Sequence, residues 1–145
     1  MHKPANSLQL AGSSHPAASF KELIVWQRAM DLAKEIYAVT KQLPASEQFG
    51  LTSQMRRAAV SVASNIAEGK RRGTKKDFIQ FLRIADGSAS ELETQLLLAR
   101  EVFPLKNTQR CSQFLSETQR MLGGMLKKLS LPAASSKLQT SNSYA

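Results

Sequence analysis

Histidine and cysteine are nearly absent: His2, His15 and Cys111 are all that 145 residues provide. Both histidines lie ahead of any periodic segment, so a histidine-based nucleophilic triad cannot be held against a folded site. A lone cysteine cannot form an intrachain disulfide, and a zinc site draws on several Cys and His ligands, so neither staple is expected and a reducing cytoplasm fits. No run approaches the ~20 uninterrupted apolar residues of a membrane span. Residues 1–19 also lack the apolar centre of a secretory signal, so neither export nor a membrane anchor is expected. Glycine (7) and proline (5) are too few for a fibrous chain, and no glycine-rich phosphate loop is present. Strand-like alternation of apolar and polar residues is missing as well.

What remains is a chain that is 42% apolar and strongly basic, with 20 Lys and Arg against 11 Asp and Glu, a formal charge of +9. The length fits one domain. The charge favours a polyanionic partner, with RNA or DNA ahead of an anionic membrane, because the basic residues do not line an otherwise apolar helix face. Residues 1–19 and 130–145 are rich in Ser and Ala and read as flexible tails around a bundle at 20–129.

Between the tails lie four segments of helical period, broken at 44–48, 69–73 and 104–107. The first helix is expected from about Glu22 to Leu43. It carries two adjoining apolar arcs, one with Leu23, Trp26, Met30, Ala33 and Tyr37, the other with Val25, Ala29, Leu32, Ile36, Val39 and Leu43. Pro44 explains its stop. The second runs from Glu47 or Leu51 to Glu68 on a stripe through Met55, Ala58, Ala59, Val62 and Ile66, with Gly69 expected just past its end. The third spans Thr74 to Phe103, opened by Thr74 and Asp77 in the spacing of a capping box. The fourth spans Thr108 to Leu129; Gly123 and Gly124 fall on its polar side, where each costs about 1 kcal/mol against Ala without an evident reason. Short breaks between amphipathic helices predict an all-α fold, an antiparallel up-down-up-down four-helix bundle.

The first and third helices carry more apolar surface than one seam requires. Either they are the more deeply buried diagonal members, or copies associate through the surplus, which is the preferred expectation. On the third helix the surplus is Ile79, Ile84, Leu97, Leu98 and Val102. Arg56, on the small-residue flank of the second helix beside Val60, Ala63 and Ala67, is expected to be paired and to belong to the same oligomer interface as Ile79, Ile84, Leu97 and Leu98.

No catalytic constellation forms. Glu91, Glu93 and Glu101 lack the helical histidines of a di-iron bundle, so no metal or other cofactor is expected. Cys111 lies on an apolar stripe and reads as a small core residue rather than a nucleophile. The chain is therefore expected not to be an enzyme. Its strongest local signal is Lys70, Arg71, Arg72, Lys75 and Lys76, five cations in a loop feeding a helix N-terminus, where cations and free backbone N–H groups together suit phosphate. These five, with Arg57, are the expected nucleic-acid-binding residues; the alternative is a solvated loop that aids solubility. The aromatics fall on core stripes, which argues against base stacking and for backbone contact without sequence readout.

Three stretches carry a family resemblance: ELIVWQRAMDLA, GLTSQMRRAAVSVASNIAEGKRR and DFIQFLRIADGSASELETQLLLA. They resemble the bacterial four-helix-bundle family found in intervening sequences of 23S ribosomal RNA genes, to which accessory variability determinants of diversity-generating retroelements are similar. The resemblance covers roughly Phe20 to Leu129. It implies a bundle assembled as a ring-like homopentamer and, in the retroelement branch, a basic barrel that binds nucleic acid and a reverse transcriptase. Arg56, Arg57, Ser64, Asn65, Glu68 and Gly69 match the family signature; it implies that Asn65 and Glu68 cap or bridge the helix end, and that Arg56 pairs with Glu68 or with an acid of a neighbouring copy. The resulting expectation is a cytoplasmic, non-enzymatic homo-oligomer that binds nucleic acid through basic loops. A protein-interaction scaffold that binds no nucleic acid is the alternative.

Overall fold

Between residues 20 and 129 only Pro44 and Pro104 occur, and each stands just after a helix has ended. The structure is a computed structural model that describes residues 19–132. Four helices form: α1 (Ile24–Thr40), α2 (Leu51–Arg72), α3 (Lys75–Val102) and α4 (Gln109–Ser130), with short 3-10 turns at Phe20–Glu22 and Ala45–Glu47. No strand occurs among the described residues. The expected tails lie outside these residues except for Ser19 and 130–132.

Two boundaries differ from expectation for identifiable reasons. α1 ends at Thr40 because the chain tightens into i→i−3 bonds, Gln42 N–H to Val39 O at 3.0 Å and Leu43 N–H to Thr40 O at 3.1 Å. α2 does not stop at Glu68 but runs on to Arg72, and the left-handed turn residue is Gly73 (φ 84°). Gly69 is buried inside the helix and serves close approach instead: a Cβ there would stand 2.7 Å from the Phe81 Cβ and 3.1 Å from Phe78 Cδ1. At the other end of α2, the Glu47 Oε1 accepts from the Leu51 N–H at 3.1 Å, filling a capping role that Gly50 cannot. Thr74 caps α3 by accepting from the Asp77 N–H at 3.2 Å.

The helices pack in cyclic order, α1 on α2, α2 on α3, α3 on α4 and α4 on α1. Cross-helix pairs show how they run. Arg28 meets Glu117 at 2.8 Å and Glu35 meets Arg110 at 3.4 Å between α1 and α4. Ser61 bonds Ser88 at 2.8 Å while Gly69 abuts Phe81 between α2 and α3, and Glu93 bonds Gln119 while Arg100 bonds Thr108 and Ser112 between α3 and α4. In each pair the numbers rise on one helix as they fall on the other, as neighbours running in opposite directions require. At one end Gln42 joins two connections through both groups of Lys106, its Nε2 donating to the carbonyl and its Oε1 accepting from the N–H, at 2.9 and 2.8 Å.

The core follows the predicted stripes: Leu32 and Ile36 of α1, Met55, Val62 and Ile66 of α2, Leu82, Leu92 and Leu96 of α3, and Leu122 of α4 are fully or almost fully buried. Burying a side chain of this size stabilises by about 1.5–3 kcal/mol, which is what holds four individually marginal helices together. Of the two arcs of α1, the one through Val25, Ala29, Leu32 and Ile36 enters the core. Cys111 is part of it, and burial pushes its thiol up to about 11. Among the described residues, no helix is long and apolar enough to cross a membrane.

Gly69→Ala should lower the unfolding free energy by about 1–3 kcal/mol through overpacking. Gly123→Ala, where a Cβ meets nothing within 4 Å, should raise it by about 1 kcal/mol; urea unfolding of the two variants checks both, and equal effects would contradict the packing described. At pH 8 the Cys111 thiol stays protonated in the folded chain, because its pKa lies well above that pH. Alkylation by iodoacetamide should therefore be slow until denaturant is added, and comparable native and denatured rates would contradict a core position.

Candidate functional site

The five cations singled out in the sequence do not sit in a loop. Lys70, Arg71 and Arg72 form the last turn of α2, where cations complement the carbonyl end of a helix, and Lys75 and Lys76 open α3 after the two-residue turn Gly73–Thr74. The reason is the continuation of α2 past Gly69. The cations consequently project from two rigid helix ends. They are not equally free: Arg72 bonds Glu68 at 2.9 Å and lies 5.0 Å over the Phe81 ring, and Lys70 is half-buried. Arg71, Lys75 and Lys76 are exposed and make no ion pair among the described residues.

A third helix end joins them. Lys75, Lys76, Gln80 and Arg83 line a cleft with Ser130, the last residue of α4. One turn earlier on α4 stand Lys127 and Lys128, both exposed. Lys21 precedes α1 at the same end, since Trp26 near the start of α1 shares a groove with Ala67 near the end of α2. Nine cations, Arg83 and Lys21 included, thus stand there against three acids, Glu22, Glu68 and Asp77, of which Glu68 is already paired. In the sequence Lys127 and Lys128 lie some fifty residues from Lys76; only the order of the bundle brings them together.

Arg57 does not belong to this group. It is fourteen positions before Arg71 on α2, about 21 Å along the axis at 1.5 Å per residue. There it lines a cleft with Phe49, Gln54, Ser61, Ser88 and Glu91.

The residues expected at an interface separate into two kinds. Arg56 is held within the chain: its Nε donates to Thr40 Oγ1 at 2.9 Å, its NH2 reaches Tyr37 O at 3.4 Å, and its guanidinium lies 4.6 Å over the Tyr37 ring. It does not pair with Glu68, which bonds Arg72 instead, and the signature's Asn65 returns to its own helix, donating to Ser61 O at 2.8 Å. Ile79 is half-buried in the cleft beside Lys76. Ile84, Leu97 and Leu98 remain 44%, 53% and 53% exposed, and Val102 is exposed too, so the surplus of α3 is not absorbed by this chain.

Two features escaped the sequence. The second arc of α1 lies at the edge of the core, Ala33 buried and Trp26 and Met30 packed against it, and with Tyr37 these residues line an apolar groove whose other wall is Val60, Ala63 and Ala67 of α2. Phe49, expected with the other aromatics on a core stripe, is 91% exposed at the end of that groove's extension, beside Arg56 and Arg57. An aromatic between Gln48 and Gly50, inside a break, lies on no stripe and was the available signal. Among the described residues no group of three or more His, Cys, Asp and Glu side chains could hold a metal. What the basic end can do chemically is attract and hold phosphate, by charge and by the backbone N–H groups of the α3 start.

Residues 21–124 match the family described as 23S rRNA-intervening sequence protein. Among solved structures, a protein of unknown function from the S23 ribosomal protein family of Bacteroides thetaiotaomicron is similar, with a TM-score of 0.64 and 26% identity over 72% of this chain and 96% of that one. No curated protein matches. The match over most of the chain, on a bundle of four helices shared with a solved relative, shows that this chain belongs to the 23S rRNA-intervening sequence protein family.

Proposed function

We propose that this chain is a non-enzymatic, self-associating bundle of the cytoplasm that binds nucleic acid through phosphate contacts at one end. The observation that carries the proposal is the gathering of Lys70, Arg71, Lys75, Lys76, Lys127 and Lys128 from three helix ends. Each phosphate neutralised by such a cation releases counterions, so affinity comes without any base being read. Of the aromatics near this end, Trp26 and Phe78 are partly buried against the core and Phe81 is half-buried beneath the Arg72 guanidinium, so none of the three is an open platform for base stacking. The family is named for an intervening sequence of 23S rRNA, which fits an RNA partner without selecting it. A scaffold for protein partners is the second reading, favoured by the apolar groove between α1 and α2 and by exposed Phe49.

Reversing three unpaired cations in one chain, Arg71→Glu, Lys75→Glu and Lys76→Glu, should weaken binding to a ~20-nucleotide RNA at least tenfold near 100 mM salt and reduce the salt slope by roughly 2–3. Arg57→Glu, some 21 Å along the helix, should change both far less. Fluorescence anisotropy across a salt series checks this. An unmodified protein without salt-sensitive affinity, or a triple variant that binds as the unmodified one does, would contradict the proposal.

A further inference from the structure

Arg56 is a cation without a counter-ion. It is half-buried, and neutral groups alone hold it: Nε donates to Thr40 Oγ1 at 2.9 Å, Nη2 reaches the Tyr37 carbonyl at 3.4 Å, and the guanidinium lies over the Tyr37 ring. Among the described residues it makes no ion pair. The acids of α1, α2 and the flanking helix are engaged elsewhere or face away: Asp31 lies between Arg28 and Lys34, Glu68 bonds Arg72, and Glu91 shares the α2–α3 cleft with Arg57. Withdrawing charge from water without a partner is costly, so a half-buried guanidinium fixed by a hydroxyl and a carbonyl is prepared for an anion supplied from outside. That cation stands where an apolar groove ends. The groove between α1 and α2 encloses about 580 Å³, within the range of small-molecule sites, and is lined mainly by Trp26, Met30, Ala33, Ala63 and Ala67. It runs about 16 Å along α1 from Trp26 to Tyr37. Lys34, 72% exposed, is the one charged residue along it. Tyr37 and Val60 line both this groove and the cleft that holds Arg56, which makes groove and cation continuous, and no acid lines either part.

We propose that this groove binds an amphipathic monoanion, a single alkyl chain ending in a carboxylate as in a free fatty acid. The chain lies along Trp26, Met30 and Ala67, and the carboxylate meets the Arg56 guanidinium beside Tyr37, with Lys34 adding charge at the rim. An elongated apolar groove with a cation at one end matches a ligand whose apolar and anionic parts are separated in the same way. Size favours a small molecule over a protein: a stable protein contact buries roughly 800 Å² a side, whereas a groove of this volume holds one chain. The planar guanidinium suits a carboxylate, which it can receive on two nitrogens at once.

Trp26 is the only tryptophan of the chain, so its emission reads the groove without a label. The full-length protein is titrated with decanoate, kept below its micelle concentration, and with decanol, which has the chain without the charge. Decanoate should move the emission saturably to shorter wavelength, and decanol should bind about tenfold more weakly. Arg56→Gln should bring decanoate down to the affinity of decanol and leave decanol unchanged. Ala67→Phe, which fills the groove from its half-exposed wall, should abolish the response to both. Circular dichroism confirms that each variant keeps its helices; should Arg56→Gln fail to fold, raised salt replaces it and should weaken decanoate relative to decanol. No saturable response to decanoate overturns the proposal, as does decanol binding as tightly as decanoate. An Ala67→Phe chain that binds like the unmodified one overturns the placement. An emission that responds to dilution but not to decanoate assigns the groove to a second copy, and overturns it as well.

Discussion

The approach of α2 to α3 at Gly69 governs the rest of the molecule. With no side chain on Gly69, the Phe81 and Phe78 side chains press against the α2 backbone, and the two helices lie close enough for a two-residue turn, Gly73–Thr74, to join them. The left-handed conformation at Gly73 reverses the chain at once, so α2 can stay helical through Lys70, Arg71 and Arg72. A looser crossing would need a longer connection and would leave those residues in a loop. Held as they are, their charges stand at fixed positions beside Lys75 and Lys76, where side-chain entropy is the main freedom left to lose on binding phosphate.

Charge then divides the bundle by region. One end gathers cations from α2, α3 and α4, while the flank of α3 is acidic and the groove between α1 and α2 is largely apolar, with Lys34 its one charged lining residue. A +9 chain would repel its copies if the charge were spread evenly. Concentrating it at an end leaves the flanks available for contact between copies, and copies joined by their flanks would add their basic ends together. The conflict between a polyanion-binding charge and self-association is thereby reduced by placement.

The helices and their buried faces were legible in the sequence because both follow from a 3.6-residue period: Leu32, Met55, Leu92 and Leu122 lie on the stripes that periodicity assigns to the core. The end of α2 was not, since Gly69 carries the same local signal whether it terminates a helix or admits a neighbouring one, and only the contact with Phe81 separates these uses. Lys127 and Lys128 were invisible as partners of Lys75 for a different reason: their proximity depends on helix order, not spacing. Arg57 went the opposite way, grouped by type with residues that the helix rise puts about 21 Å off. Arg56 was expected to be paired with an acid; within the described residues it makes no ion pair and instead hydrogen-bonds Thr40 and Tyr37 of α1, sixteen and nineteen positions away, beyond any local rule.

The central claim, that nucleic acid binds at the end of the bundle shared by α2, α3 and α4, is tested most directly by lysine acylation read by mass spectrometry with and without bound RNA. Lys70, Lys75, Lys76, Lys127 and Lys128 should be protected, while Lys34 on the flank and Lys41 and Lys106 at the opposite end should react as in the free protein. Uniform protection, or protection centred on Lys41 and Lys106, would contradict it.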